Sequence, residues 1–98
     1  MFVTVVQIRI HLPWVHSHKE HRSEAKSLIR RLRNRYNAAV CETGDPERRQ
    51  MLELGVAYWS PDRAGADRTA QSVGDEVSRL TEGEVLAVTI ARMVESCE

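Results

Sequence analysis

Hydrophobic and polar side chains alternate along the first stretch of the chain. From Phe2 to Leu12 one parity is mostly aliphatic, and the other mixes valines with polar residues such as Gln7 and Arg9. A period of two with many β-branched residues predicts a strand that packs one face and leaves the other partly in water. Pro13 has no amide hydrogen for a strand ladder, and it ends the pattern.

Two later segments carry the signals of helices. Ser17 and Glu20 have the spacing of a capping box, which predicts a helix over residues 18–36. The apolar residues of this helix share one arc: Ala25, Leu28, Ile29, Leu32 and Tyr36. Ser60 followed by a proline predicts the cap and first turn of a second helix over residues 61–80.

Three more segments predict strands, over residues 37–43, 51–59 and 84–94. In the last strand three residues are expected to face the core: Leu86, Val88 and Ile90. The resulting order of strand, helix, strand, strand, helix, strand is typical of the ferredoxin-like α+β fold, a four-stranded antiparallel sheet with two helices on one face. We therefore predict a single domain of this fold over residues 1–98, with the other sheet face open.

Composition narrows the class of protein. The chain has 98 residues, 42% of them hydrophobic and 29% charged, which is enough for one small core and typical of globular proteins. Two cysteines exclude a disulfide framework, and no apolar stretch approaches the ~20 residues that span a bilayer. Polar residues interrupt the first strand where a signal peptide needs a continuous apolar segment. We therefore expect a cytoplasmic protein that has no membrane partner.

The net charge of zero conceals an uneven distribution. Residues 1–40 carry eight lysines and arginines against two glutamates, whereas the remaining residues carry six basic and twelve acidic side chains. Five cations of the first helix, here called the basic stripe, fall within an arc of about 80°. They are Lys19, Arg22, Lys26, Arg30 and Arg33. No acidic residue lies in this arc, so a phosphate backbone would relieve the repulsion, although a solvated arginine-rich face is the alternative.

Several short motifs carry a family resemblance. They are His11-Leu-Pro13, Ser17-His-Lys-Glu-His-Arg22, Leu32-Arg-Asn-Arg-Tyr-Asn37, and Leu54-Gly-Val-Ala57 followed by Ser60. In this order and spacing they resemble the YlxP-like family of small bacterial proteins, a ferredoxin-like domain of unknown function. Members of that family are often encoded beside translation initiation factor two and ribosome-binding factor A. The resemblance therefore implies ribosomal RNA or a ribosomal subunit as a partner, but it does not imply that the protein catalyses a reaction.

The sequence departs from this family pattern at two histidines. His18 and His21 stand where the family has a leucine and a lysine, so His18 is expected at the edge of the core and His21 on the surface. Together with His16 they have a spacing that one zinc ion would accept, but the two cysteines are distant in the sequence. We expect no metal ion and no cofactor, with a zinc site at these histidines as the alternative.

No motif for catalysis is present in the sequence. There is no glycine-rich phosphate loop, no pair of carboxylates at adjoining strand ends and no serine with a histidine–aspartate relay. Glu42 and His16 could form an acid–base pair, although nothing in the sequence brings them together. Cys41 is expected to be a small buried residue. We therefore expect a protein that is not an enzyme.

Two classes of function remain open. The first is a small RNA- or ribosome-associated protein that binds through the basic stripe. The second is a regulatory or protein-interaction domain that forms a homodimer through its open sheet face. The centre of that face lacks the aromatic residues with which an RNA-recognition motif stacks bases, so it is not the expected RNA surface.

Overall fold

Four strands and two helices make up the structure, a computed structural model that describes residues 2–94. In chain order they are β1 (Phe2–His11), α1 (His18–Arg35), β2 (Ala39–Glu42), β3 (Met51–Ser60), α2 (Arg63–Leu80) and β4 (Glu84–Val94). The strands form one antiparallel sheet in the order β2-β3-β1-β4. This is the ferredoxin-like α+β arrangement that the sequence predicts.

The core lies between the two helices and one face of the sheet. The strands β1 and β3 contribute their even-numbered residues: Val6, Ile8, Ile10, Leu52, Leu54 and Val56. The helices cover these with a second aliphatic set: Ala25, Leu28, Leu32, Ala70, Val73 and Val77. Each of these side chains is at most 3% exposed, so their burial is the main favourable contribution to folding. Ile29 and Tyr36 pack at the margin of this core.

The capping box at the start of α1 is confirmed. The backbone N–H of Glu20 donates to the Ser17 hydroxyl over 3.1 Å, and the Glu20 carboxylate accepts from that hydroxyl and from the backbone N–H of His16. The helix ends at Arg35, one residue before the predicted end, because Tyr36 takes up an extended backbone conformation. No helix within residues 2–94 is both long and apolar enough to cross a membrane.

The predicted cap of α2 is wrong by two residues. Asp62 caps the helix, since its carboxylate accepts the backbone N–H of Gly65 over 2.7 Å. Ser60 is instead the last residue of β3, where it pairs with Phe2 of β1 and is buried. The ladder with β1 therefore extends to the position that local signals assign to the cap.

The last strand also differs from its prediction. Val88 and Ile90 lie opposite the buried Ile8 and Val6, yet they are 42% and 44% exposed. Leu86, which is 47% exposed, falls where a register shift breaks the pairing with β1. The expectation that these three residues lie in the core is wrong, because β4 is an edge strand and α2 leaves them uncovered.

Candidate nucleic-acid interface

The basic stripe lies on one exposed face of α1. All five of its side chains are exposed. Lys26, Arg30 and Arg33 line a groove of about 850 Å³ between α1 and β2, here called the basic groove. Lys19 and Arg22 line a smaller depression of about 390 Å³ that also includes Lys26. The structure therefore brings the five predicted residues together along one continuous surface.

Most of the stripe is not neutralised by acidic side chains. Within residues 2–94, Lys19, Arg22, Lys26 and Arg30 form no salt bridge within 4 Å. Arginines elsewhere do have such partners, as in the contact of 2.6 Å between Arg79 and a glutamate of α2. An unpaired row of cations on one helix face is costly to the folded protein and attractive to an anion.

Arg33 differs from the other four cations because it also holds the fold together. Its Nη2 donates a hydrogen bond of 2.7 Å to the backbone carbonyl of Val40 in β2. This contact ties the last turn of α1 to β2, the edge strand of the sheet. The guanidinium has further N–H groups, which are chemically able to donate to an anion.

The groove contains one acidic residue, Glu42, and its carboxylate is engaged with a buried histidine. The Nε2 of His21 lies 2.6 Å from Oε1 of Glu42, and its Nδ1 lies 2.8 Å from the backbone oxygen of Arg49. Burial disfavours the imidazolium, but the hydrogen bonds to Glu42 and to Arg49 outweigh burial, so the pKa of His21 is raised above its ordinary value of 6.5.

The expected places of the two helical histidines are exchanged. His21 is 2% exposed and belongs to the core side of α1, whereas the side chain of His18 is 41% exposed and its Nε2 lies 3.6 Å from a carboxylate oxygen of Glu47. The signal for this was present in the sequence, since His21 precedes Ala25 by four residues and continues the buried stripe.

The histidines do not converge on a common point. Both ring nitrogens of His21 have protein partners, so this side chain is not available to join His16 and His18 around an ion. Throughout the described part of the chain, no group of three or more histidine, cysteine, aspartate or glutamate side chains is placed to hold a metal ion. Glu42 pairs with His21. The acid–base pair of Glu42 and His16 that the sequence left open is therefore not formed.

Cys41 is exposed, and the prediction that it is buried is wrong. Alternation along β2 buries the neighbouring Val40, which is 2% exposed, and leaves Cys41 at the rim of the basic groove. The groove is therefore lined by cations, small polar groups, one isoleucine, the carboxylate of Glu42 and a free thiol.

The open sheet face has a polar half and an apolar end. In the polar half the exposed Gln7 lies next to an ion pair of 2.9 Å between Arg9 and Glu53. At the apolar end Trp59 is 57% exposed and pairs with Val3 of β1. The homodimer predicted for this face would have to desolvate the Arg9–Glu53 pair unless it used the Trp59 end alone.

The fold and the stripe together define a small α+β protein with a cationic helix face. A comparison with known families matches residues 3–90 to the family described as a protein of unknown function, DUF503. Because this match covers most of the chain, the protein belongs to that family. A separate search of curated proteins finds none that matches the chain. The family description assigns no activity.

Proposed function

We propose that the protein binds single-stranded RNA through the basic stripe of α1 and acts as a ribosome-associated protein without catalysing a reaction. The observation that carries the proposal is the row of four exposed cations that have no acidic partner in the described residues. The resemblance to the YlxP-like family adds the ribosome and the cytoplasm to this proposal, since its members are often encoded beside translation factors.

The geometry suits a chain of phosphates. With 18 residues at about 1.5 Å per residue, α1 is about 27 Å long, so its cations are spread over several phosphate groups. Arginine binds phosphate oxygens in a bidentate manner, and a lysine acts as a more compact charge. An ordered row of this kind attracts a polyanion far better than it attracts one small anion.

The other residues of the basic groove point to backbone recognition. Ser23, Ser27 and Asn34 line it and offer hydroxyl and amide groups to phosphate or ribose oxygens. No aromatic side chain is among the residues that line the groove, so stacking of bases is not part of this mode. We therefore expect binding that depends strongly on salt and weakly on RNA sequence.

Salt dependence of RNA affinity tests the proposal. The probe is a fluorescein-labelled oligouridylate titrated by fluorescence anisotropy at several salt concentrations. Four phosphate contacts predict a log–log slope of about −3 for a single strand. The triple variant Arg22→Gln, Lys26→Gln, Arg30→Gln removes cations that have no intramolecular salt bridge, so the slope should become shallower by about 2.

A matched variant controls for net charge. Arg31→Gln, Arg63→Gln, Arg68→Gln also removes three exposed arginines, all of them outside the stripe, and should leave the slope nearly unchanged. Sedimentation with purified ribosomal subunits should separate the two variants in the same way. Wild-type protein that fails to bind RNA and subunits, or two variants with equal slopes, would contradict the proposal.

A further inference from the structure

β4 has the properties of a strand that accepts another strand. The sheet order places it at the edge remote from β2, with β1 on one side and no strand among the described residues on the other. It is eleven residues long, and the segment from Val85 to Ala91 contains neither a charged residue nor a proline. Proteins usually protect long edges with charges or proline, because an unprotected edge pairs with other chains. The edge of β4 carries no such protection over this segment.

The apolar side chains of β4 lie beside an open groove between this strand and α2. Val88 and Ile90 line this groove of about 320 Å³ together with Ala70, Gly74 and Ser78 of α2, and the polar side chains of Gln71 and Asp75 border it. The three α2 residues follow each other at intervals of four, so a row of small side chains runs next to the exposed strand. Val88, Ile90 and the nearby Leu86 account for most of the large apolar side chains that are exposed in the described chain. A surface of this kind marks a site of protein association.

We propose that two copies of this protein associate through β4, which pairs with β4 of the second copy in antiparallel fashion. A two-fold axis through Thr89 places Val88 of each copy opposite Ile90 of the other, on the face that carries the helices. On the opposite face the two Thr89 side chains meet, flanked by Ala87 and Ala91. The result is a continuous eight-stranded sheet in which the small-residue rows of both α2 helices flank a shared apolar strip.

Charge at the two ends of the segment favours a second copy over an unrelated strand. Glu84 precedes the uncharged segment and an arginine, Arg92, follows it in the sequence. Antiparallel self-pairing brings the acidic end of each strand toward the basic end of the other, whereas parallel pairing would bring like charges together. A single surface patch that is complementary to itself is what a two-fold dimer requires.

The dimer leaves the basic stripe accessible. Because β2 and β4 are opposite edges of the sheet, pairing through β4 keeps the basic groove of each copy at an outer end of the joined sheet. Association and RNA binding therefore use separate surfaces, and each can be tested in the absence of the other.

The molecular mass in solution is the first test. Sedimentation equilibrium over a concentration series should give a species of twice 11.2 kDa for the wild-type chain. The double variant Val88→Lys, Ile90→Lys should be monomeric with an unchanged far-ultraviolet circular dichroism spectrum, since both side chains are exposed and lysine is a natural edge protector. Trp59→Lys alters the exposed tryptophan of the open sheet face, so this control should stay dimeric.

Three outcomes of this experiment would overturn the proposal. They are a wild-type chain that is monomeric throughout the series, a dimer that survives in the Val88→Lys, Ile90→Lys variant, and a dimer that Trp59→Lys abolishes. The last outcome would place the interface on the open sheet face.

Disulfide trapping tests the register. In a chain whose two cysteines are replaced by serine, Thr89→Cys places two thiols opposite each other across the axis, where Cα atoms about 4.5–5.5 Å apart allow a disulfide. Ala87→Cys is the control, because the two copies of position 87 would be about 13 Å apart along the strands. A covalent dimer from Thr89→Cys alone supports the proposed pairing, and one from Ala87→Cys alone contradicts it.

Discussion

The hydrogen-bonded pair of His21 and Glu42 links the first helix to the short edge strand β2. His21 is 2% exposed, and both of its ring nitrogens contact groups distant in the sequence. A buried polar side chain is costly unless each of its polar atoms is satisfied, and this one meets that condition. The pair also holds the carboxylate of Glu42 at one end of the basic groove, where an unpaired acid would repel phosphate.

The raised pKa of His21 makes the stability of the protein depend on pH. A group with a higher pKa in the folded state stabilises fully below its unfolded pKa of about 6.5, and this contribution is lost as the pH rises through the folded-state pKa. The free energy of unfolding in urea should therefore fall as the pH rises from about 6.5 through the folded-state pKa of His21. In the Glu42→Gln variant the acceptor of the His21 hydrogen bond is neutral. The free energy of unfolding of this variant should therefore fall less with rising pH than that of the wild type. If the free energies of unfolding of the wild type and of Glu42→Gln differ by the same amount at every pH, this interpretation is wrong.

Replacement of two glycines by alanine should change the free energy of unfolding in opposite directions. A Cβ on Gly83 would lie 2.6 Å from the backbone oxygen of His11 and 2.7 Å from a methyl group of Leu12, so Gly83→Ala should cost about 1–3 kcal/mol through overpacking. A Cβ on Gly74 would meet only a methyl of Val88, at 3.9 Å, so Gly74→Ala should stabilise α2 by about 0.5–1 kcal/mol. Urea titration measures both changes. A Gly83→Ala variant as stable as the wild type would show that the close approach at Gly83 is not limiting, and a less stable Gly74→Ala variant would contradict the prediction for α2.

The helix α1 uses two of its faces, one for packing and one for its exposed cations. One face packs on the sheet through residues such as Leu28 and Leu32, and the adjoining face carries the basic stripe. Arg33 lies where the two faces meet, because its guanidinium bonds the Val40 carbonyl. The packing of α1 on the sheet therefore fixes the positions of its cations. Because Arg33 also contributes to that packing, a substitution of Arg33 would change stability as well as charge.

One pair of substitutions tests which face of α1 packs against the core and which face is exposed to solvent. Leu32 is fully buried, so Leu32→Ala should lower the free energy of unfolding by about 2–4 kcal/mol through lost burial and a residual cavity. Arg30 is exposed and has no salt bridge in the described residues, so Arg30→Ala should change it by less than about 0.5 kcal/mol. Similar decreases in the free energy of unfolding from both substitutions would show that this orientation of α1 is wrong.

The distribution of charge over the protein is not optimised for stability. The cations of α1 are concentrated on one side, although the chain has enough acidic residues to neutralise them. Where a protein gives up stability on a surface in this way, a function at that surface is a common reason. The same reasoning applies to the exposed apolar side chains of β4, which the fold leaves uncovered.

A single charge reversal tests whether the stripe reduces stability. Lys26→Glu places a carboxylate four residues from both Arg22 and Arg30, so two favourable pairs replace two repulsive ones. The free energy of unfolding should rise by about 0.5–1 kcal/mol, while affinity for oligouridylate should fall. Lys26→Gln, which only removes a charge, should give a smaller gain in stability. A loss of stability in Lys26→Glu would show that the row of cations is not under electrostatic strain.

Local patterns in the chain determined its elements. Alternation placed three strands close to their observed bounds, and the capping box placed the start of α1 at His18. The spacing of the cations placed the basic stripe on one face of that helix, because the geometry of a helix relates neighbours three and four residues apart whatever surrounds it. The fold and the candidate interface follow largely from such short-range rules.

Tertiary structure decided the features that depend on partners far along the chain. His21 is buried because Glu42 and the Arg49 carbonyl satisfy its ring, and Ser60 joins β3 because Phe2 lies opposite it. Val88 has the sequence pattern of a core residue, but it is exposed because its strand is at the edge of the sheet. Periodicity shows which residues share a face of an element, whereas burial of that face depends on which other elements the folded chain packs against it.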